Sequence, residues 1–73
     1  MARKRFTHFV DHSDGSGDYR AYSNMSTVLR AHSKAIKQPD VMRSWIKDYG
    51  SGGIDYKIVA DWHAPRETIE GVL

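Results

Sequence analysis

The first regular stretch of the chain reads Arg5-Phe6-Thr7-His8-Phe9-Val10-Asp11-His12. It is rich in aromatic and β-branched residues, which is typical of a β-strand. Successive side chains of a strand point to opposite faces, which are here Phe6, His8 and Val10 on one side and Thr7, Phe9 and Asp11 on the other. A polar, glycine-containing run (residues 13–18) follows and leads into a second short strand, Tyr19 to Ser23. Residues 5–23 are therefore predicted to form a β-hairpin.

A helix is predicted directly after the hairpin. Asn24 and Ser26 are both suitable N-cap residues. The apolar side of this helix is expected to hold Met25, Val28, Leu29, His32 and Ile36, which follow one another at helical spacing. Pro39 disfavours helical backbone at the preceding residue, so the helix should stop or kink there.

The next segment has the spacing of a second helix. Its apolar stripe consists of Val41, Met42, Trp45, Ile46 and Tyr49. Asp40 suits a helix N-terminus and Gly50 a C-cap. After a flexible joint at residues 51–53, the alternation from Ile54 to Trp62 predicts a third strand.

These elements predict a small α+β protein with the order ββααβ, in which two helices pack on a short sheet. Residues 1–63 are expected to form one domain, and residues 64–73 a flexible C-terminal tail. The hydrophobic core is expected to draw mainly on larger residues: Phe6, Phe9, Val10, Tyr19, Tyr22, Leu29, Trp45, Ile46, Tyr56, Ile58 and Trp62. Four rings on predicted strands could instead stack single-stranded bases, but so small a domain is expected to need most of them in its core: Phe9, Tyr19, Tyr22 and Tyr56.

The composition excludes several classes of protein. The chain has 73 residues and no cysteine, so disulfide scaffolds and thiolate metal sites are excluded. It contains no apolar run of membrane-spanning length and no signal-peptide pattern. No spacing suggests a nucleophile elbow, a paired-carboxylate site, a phosphate-binding loop or a metal site. We therefore expect no enzyme activity, no catalytic residues, no metal and no cofactor.

The charge is unevenly distributed along the chain. Residues 1–47 hold nine Lys and Arg against four Asp, whereas residues 48–73 hold two against five Asp and Glu. The basic part favours an anionic partner, although ordinary solvated faces would give the same pattern. Arg3, Lys4 and Arg5 form a basic arm that is a candidate for contact with nucleic-acid phosphates.

The whole chain resembles small bacteriophage-encoded transcription regulators and antiterminators that bind bacterial RNA polymerase. Two segments carry the resemblance: residues 3–12, from Arg3 to His12, and residues 43–50, from Arg43 to Gly50. The resemblance implies binding to host RNA polymerase near the RNA exit channel, at the N-terminal part of β′ and the flap of β. It also implies failure of σ-dependent promoter recognition, suppression of intrinsic termination and possible recruitment of a Nus-type elongation factor. The protein would then act in the cytoplasm of an infected bacterium, as a monomer and without a membrane.

Residue chemistry suggests two surfaces for such a partner. One is a sheet edge rimmed by Tyr19, Arg20 and Tyr22, which could pair with a strand of the polymerase. The other is the predicted second helix, with Arg43 and Lys47. The basic arm could contact nascent RNA. Two alternatives remain open: a basic nucleic-acid-binding module acting alone, and a phage inhibitor of another host protein.

Overall fold

Four strands and one helix make up the regular structure of the described residues. The computed structural model describes residues 4–50 and 54–65. The elements in chain order are β1 (Phe6–His12), β2 (Gly17–Tyr22), α1 (Met25–Ala35), β3 (Val41–Asp48) and β4 (Lys57–His63). The predicted α+β class is confirmed, but the order of the described elements is ββαββ.

All strand pairs of the sheet are antiparallel, and the strands lie in the order β2-β1-β3-β4. The predicted hairpin is confirmed, since β1 pairs with β2 in a continuous register. Its turn is closed by Asp14, whose Oδ1 accepts a hydrogen bond from the Ser16 backbone N–H at 2.9 Å. Gly15 has φ +92°, a left-handed backbone that a side chain would strain. Because of the strand order, β1 lies inside the sheet, while β2 and β4 are its edges.

The helix begins where its capping residue predicts. Asn24 Oδ1 accepts hydrogen bonds from the backbone N–H groups of Ser26 (2.9 Å) and Thr27 (3.3 Å). The helix ends at Ala35, ahead of Pro39 as expected. Its predicted apolar side is only partly buried: Val28 is fully buried, whereas Leu29 is 42% exposed.

The predicted second helix is wrong, because residues 41–48 form β3. Helical spacing of the apolar residues is present, but Val41, Trp45 and Ile46 also favour a strand. The alternation of β3 is concealed because two of its buried positions are polar, Ser44 and Asp48. Pairing of residues 41–48 with the second side of β1 stabilises the chain more than a second helix would. Without β3, the backbone N–H and C=O groups on that side of β1 would lack hydrogen-bond partners.

The segment after β3 differs from its prediction in smaller ways. Gly50 does have a positive φ of 61°, but it follows a strand instead of a helix. The predicted strand at Ile54–Trp62 is observed as β4, shifted to Lys57–His63. At residue 64, where the tail was expected to begin, the Ala64 N–H still donates to the Met42 carbonyl at 2.8 Å. The remainder of the predicted tail, residues 66–73, lies outside the described residues, as do residues 51–53 of the predicted joint.

The core lies between α1 and one face of the sheet, which we call the inner face (Phe6, His8, Ser44, Ile46 and Asp48). Phe6, Val28 and Ile46 form its buried apolar cluster, with Tyr22, Val59 and Ala60 packed around it. The opposite side of the sheet is the outer face (Phe9, Tyr19, Arg43, Trp45, Lys47 and Asp61). The prediction that most of the large rings form the core is therefore wrong for Tyr19 and Tyr56, which are 75% and 51% exposed.

Candidate functional site

Three aromatic rings form a continuous row across the outer face. Phe9 of β1 lies opposite Tyr19 of β2 and Trp45 of β3 in the strand register. The ring centroids of Phe9 and Tyr19 are 5.9 Å apart with planes at 27°, and those of Phe9 and Trp45 are 5.2 Å apart with planes at 13°. Both pairs are stacked, and offset stacking is one of the arrangements that aromatic rings prefer. Strand alternation and register together therefore build this row.

A guanidinium closes the row at the β4 side. Arg43 lies with its Cζ 4.0 Å from the centroid of the Trp45 ring, a close cation–π contact. Its Nε and Nη2 also donate to the two carboxylate oxygens of Asp61 at 3.1 and 3.2 Å. Asp61 faces Trp45 from β4 in the register. These hydrogen bonds raise the pKa of Arg43 and lower the pKa of Asp61, so this end of the row is a fixed, locally neutral pair.

A second cation lies over the middle of the row. Lys47 Nζ is 5.0 Å from the Phe9 ring centroid and 4.3 Å from that of Tyr56. No ion pair found among residues 4–50 and 54–65 involves Lys47. Its positive charge is therefore available to a ligand.

The row is open at its β2 end. Tyr19 belongs to an edge strand, and three quarters of its surface is exposed. Phe9 is the only aromatic ring that stacks on Tyr19 within the described part of the chain. A further flat group can thus extend the row beyond the edge of the sheet.

On the other side of β2, a groove separates this strand from α1. It has a volume of about 340 Å³ and is lined by Arg20, Tyr22, Thr27, Arg30, Ala31 and Lys34. The Cζ of Arg20 lies 5.7 Å from the Tyr22 ring centroid. Three cationic side chains therefore converge on this groove.

The basic arm is only partly a free surface. Arg5 donates from Nε and Nη2 to both carboxylate oxygens of Asp48, each at 2.9 Å. This pairing lowers the pKa of Asp48 and raises the pKa of Arg5. Lys4 is exposed, and Arg3 lies outside the described residues. Arg5 thus acts first as the partner of a buried carboxylate.

Serine and histidine side chains meet beneath the sheet. His8 Nε2 and His32 Nδ1 lie 2.7 and 2.8 Å from the Ser44 hydroxyl oxygen. Burial lowers the pKa of both His8 and His32. Ser44 is fully buried, so a substrate has no path to its oxygen. This network links α1 to β1 and β3 and does not have the accessibility of a nucleophile and base.

The sheet divides the predicted partner-binding residues into two groups. Tyr19, Arg43 and Lys47 lie together on the outer face, whereas Arg20 and Tyr22 line the groove. Sequence reasoning missed Trp45 as a site residue because it assigned Trp45 to the core, and for Phe9 it favoured the core over base stacking. The alternation of β1 was the available signal, since it places Phe9 on the same face as the polar residues Thr7 and Asp11.

Comparison with models of known protein families, with curated proteins and with solved structures gave no match. Within residues 4–50 and 54–65, no group of three or more side chains is suited to binding a metal ion. No helix of these residues is long and apolar enough to cross a membrane.

Proposed function

We propose that this chain is a bacteriophage transcription regulator that binds host bacterial RNA polymerase near the RNA exit channel. The contacts would be the N-terminal part of β′ and the flap of β. The proposal starts from the resemblance in residues 3–12 and 43–50. The structural observation that supports it best is the free edge of β2.

An edge strand leaves backbone N–H and C=O groups unpaired along one side. Within residues 4–50 and 54–65, β2 pairs only with β1, and Gly17, Asp18, Tyr19 and Arg20 are all exposed. A strand of a protein partner can therefore extend the sheet by main-chain hydrogen bonding. Such pairing provides affinity, while the neighbouring side chains provide specificity.

The groove beside β2 supplies those side chains. Arg and Tyr are favoured at protein interfaces because they combine a large contact area with polar ends. Arg20 and Tyr22 already lie against each other there, and Arg30 and Lys34 add positive charge. We expect the polymerase segment that pairs with β2 to be acidic.

Binding at the exit channel would have two consequences. The σ factor would lose its anchoring on the β flap and β′, so initiation at σ-dependent promoters would fail. An RNA hairpin emerging beside the bound protein would meet less space, so intrinsic termination would be suppressed. A Nus-type elongation factor is compatible with the same complex, and the site of action would be the cytoplasm of the infected bacterium.

A binding assay with charge-reversal variants tests the assignment. Core RNA polymerases purified from several bacterial genera are immobilised, and the affinity for the wild-type chain is measured. Arg20→Glu should weaken binding about tenfold or more, because it reverses a charge at the centre of the interface. Lys37→Glu is the matched control, since Lys37 is exposed beyond the end of α1 and the net charge changes equally.

Several outcomes contradict the proposal. It fails if no polymerase binds, or if the bound protein changes neither promoter-dependent initiation nor read-through of an intrinsic terminator in vitro. Equal loss of binding in both variants contradicts the β2 edge as the contact. Capture of a different host protein with comparable affinity would favour the alternative of an inhibitor acting elsewhere.

A further inference from the structure

The outer face is an aromatic surface that no helix of the described residues covers. Phe9, Tyr19 and Trp45 contribute rings to it, Tyr56 contacts Lys47 beside them, and α1 packs on the inner face. A small domain gains stability by burying its largest apolar side chains, so a row of rings outside the core indicates a binding surface. We propose that the outer face binds single-stranded nucleic acid by stacking of its bases and by contact of a phosphate with Lys47.

The stacking geometry supports bases as ligands. Tyr19, Phe9 and Trp45 already stack on one another, and the Arg43 guanidinium occupies the β4 end of the row. The open position is at the exposed Tyr19 ring. Every base offers a flat π surface, so it can continue the row there without sequence preference. Open sheets with surface aromatic residues bind unpaired bases in this way.

One cation of the outer face is free to contact a phosphate. Lys47 holds an ammonium group between the rings of Phe9 and Tyr56. At the β4 end of the row, Asp61 pairs with Arg43 and Asp11 lies opposite Arg43 in the register. The free positive charge is therefore at Lys47, and that is where a phosphate would bind.

The outer face and the proposed polymerase contact meet at the β2 edge beside Tyr19 but use different groups. Polymerase binding is assigned to the backbone edge of β2 and to Arg20 in the groove. Nucleic-acid binding is assigned to the rings and to Lys47. Failure of either proposal can thus be recognised while the other holds.

Titration of the intact chain with oligonucleotides tests the inference. The probes are oligouridylate and oligothymidylate of about 12 nucleotides and a duplex of the same length, at about 50 mM and about 200 mM salt. Fluorescence anisotropy of labelled probes gives the affinity. Both single strands should bind more tightly than the duplex, whose bases are already stacked on each other.

Two pairs of variants separate stacking from general electrostatics. Tyr19→Leu should weaken single-strand binding about 5- to 100-fold, because it removes the ring at the open end of the row. Trp62→Leu is its control and should leave single-strand affinity nearly unchanged, because Trp62 lies opposite Ser44 in the register and therefore on the inner side of β4; thermal unfolding verifies that each variant folds. Lys47→Gln should reduce the slope of log K against log salt by about 0.7, the value for one lost phosphate contact to a single strand. Lys37→Gln removes the same charge away from the outer face and should leave both affinity and slope nearly unchanged.

The inference is overturned if neither single strand binds at low salt. It is also overturned if the duplex binds as well as the single strands, or if Tyr19→Leu binds as tightly as the wild type. If Tyr19→Leu and Lys47→Gln instead weaken polymerase binding while the wild type binds no oligonucleotide, the outer face is a protein contact.

Discussion

The two faces of the sheet use their side chains in opposite ways. The inner face buries a small apolar cluster, Phe6 and Ile46 against Val28 of α1, together with the network of His8, Ser44 and His32. The outer face carries the stacked rings and two cations but no packed helix among the described residues. Stability is thus concentrated on one side of the sheet, and the groups suited to binding are on the other.

This division has a physical basis in the number of elements. The one helix of the described residues can cover only one face of the four-stranded sheet, and no second helix of these residues packs on the other face. Cross-strand stacking and the cation–π contacts of Arg43 and Lys47 reduce the exposed apolar surface without a second layer. Substitutions on the inner face should therefore affect folding, and substitutions on the outer face mainly binding.

The largest expected effect is on the free energy of unfolding, and it is tested by truncating one isoleucine on each face to alanine. Ile46→Ala should destabilise the fold by about 2–5 kcal/mol, because Ile46 is fully buried and its truncation leaves a cavity. Ile58→Ala should cost less than about 1 kcal/mol, since Ile58 is 46% exposed on β4. Urea unfolding measures both.

If Ile46→Ala does not fold, Ile46→Val provides a milder variant, with an expected cost of about 0.5–1.5 kcal/mol. Similar losses for the alanine variants at positions 46 and 58 would contradict the difference between the two faces.

A smaller effect is expected from the polar network of the inner face. Ser44→Ala removes the hydroxyl that serves both His8 and His32. We expect a loss of about 1–3 kcal/mol, because the buried His8 ring loses its hydrogen-bond partner. Ser33→Ala, at an exposed position of α1, should change stability by less than about 0.5 kcal/mol. Unchanged stability in Ser44→Ala would mean that the network contributes nothing to folding.

The smallest effect to be measured is the pH dependence of stability. Burial lowers the pKa of His8 and His32, so below about pH 6.5 the unfolded chain binds more protons at these sites than the folded one. The stability that depends on these two histidines being neutral is complete above that pH and is lost as the pH falls. The urea midpoint should therefore decrease from about pH 7.5 to about pH 5, and less so in His32→Gln.

His12 provides the opposite case. Hydrogen bonds to Asp18 and Asp40 raise the pKa of His12. Its stabilisation is present at low pH and is lost as the pH rises past that raised value. His12→Gln should therefore make the acid-induced loss of stability steeper. A flat profile in the wild type, or a steeper one in His32→Gln, would contradict the role of the buried histidines.

Local sequence signals predicted the elements that depend on local contacts. The hairpin follows from the alternation of β1 and the turn residues around Gly15. The start of α1 follows from Asn24, which caps the helix through its own side chain. The candidate site was predicted less well: Tyr19 and Lys47 were named as partner-binding residues, but Trp45 was assigned to the core and Phe9 was expected mainly there.

β3 shows why the rest required tertiary structure. Its buried polar residues, Ser44 and Asp48, have partners that are distant in sequence: His8 for the first and Arg5 for the second. No local pattern reveals such pairing, so the helical spacing of the apolar residues misled the prediction.

The sequence by itself determined that this is a small α+β protein with an N-terminal hairpin, a capped helix and a basic first part, since each of these depends on neighbouring residues. Only the tertiary structure decided that residues 41–48 are a strand and that the rings of Tyr19, Phe9 and Trp45 form one row outside the core. The reason is physical: strand pairing and register join residues that are far apart in the chain, and they alone fix which face each side chain occupies.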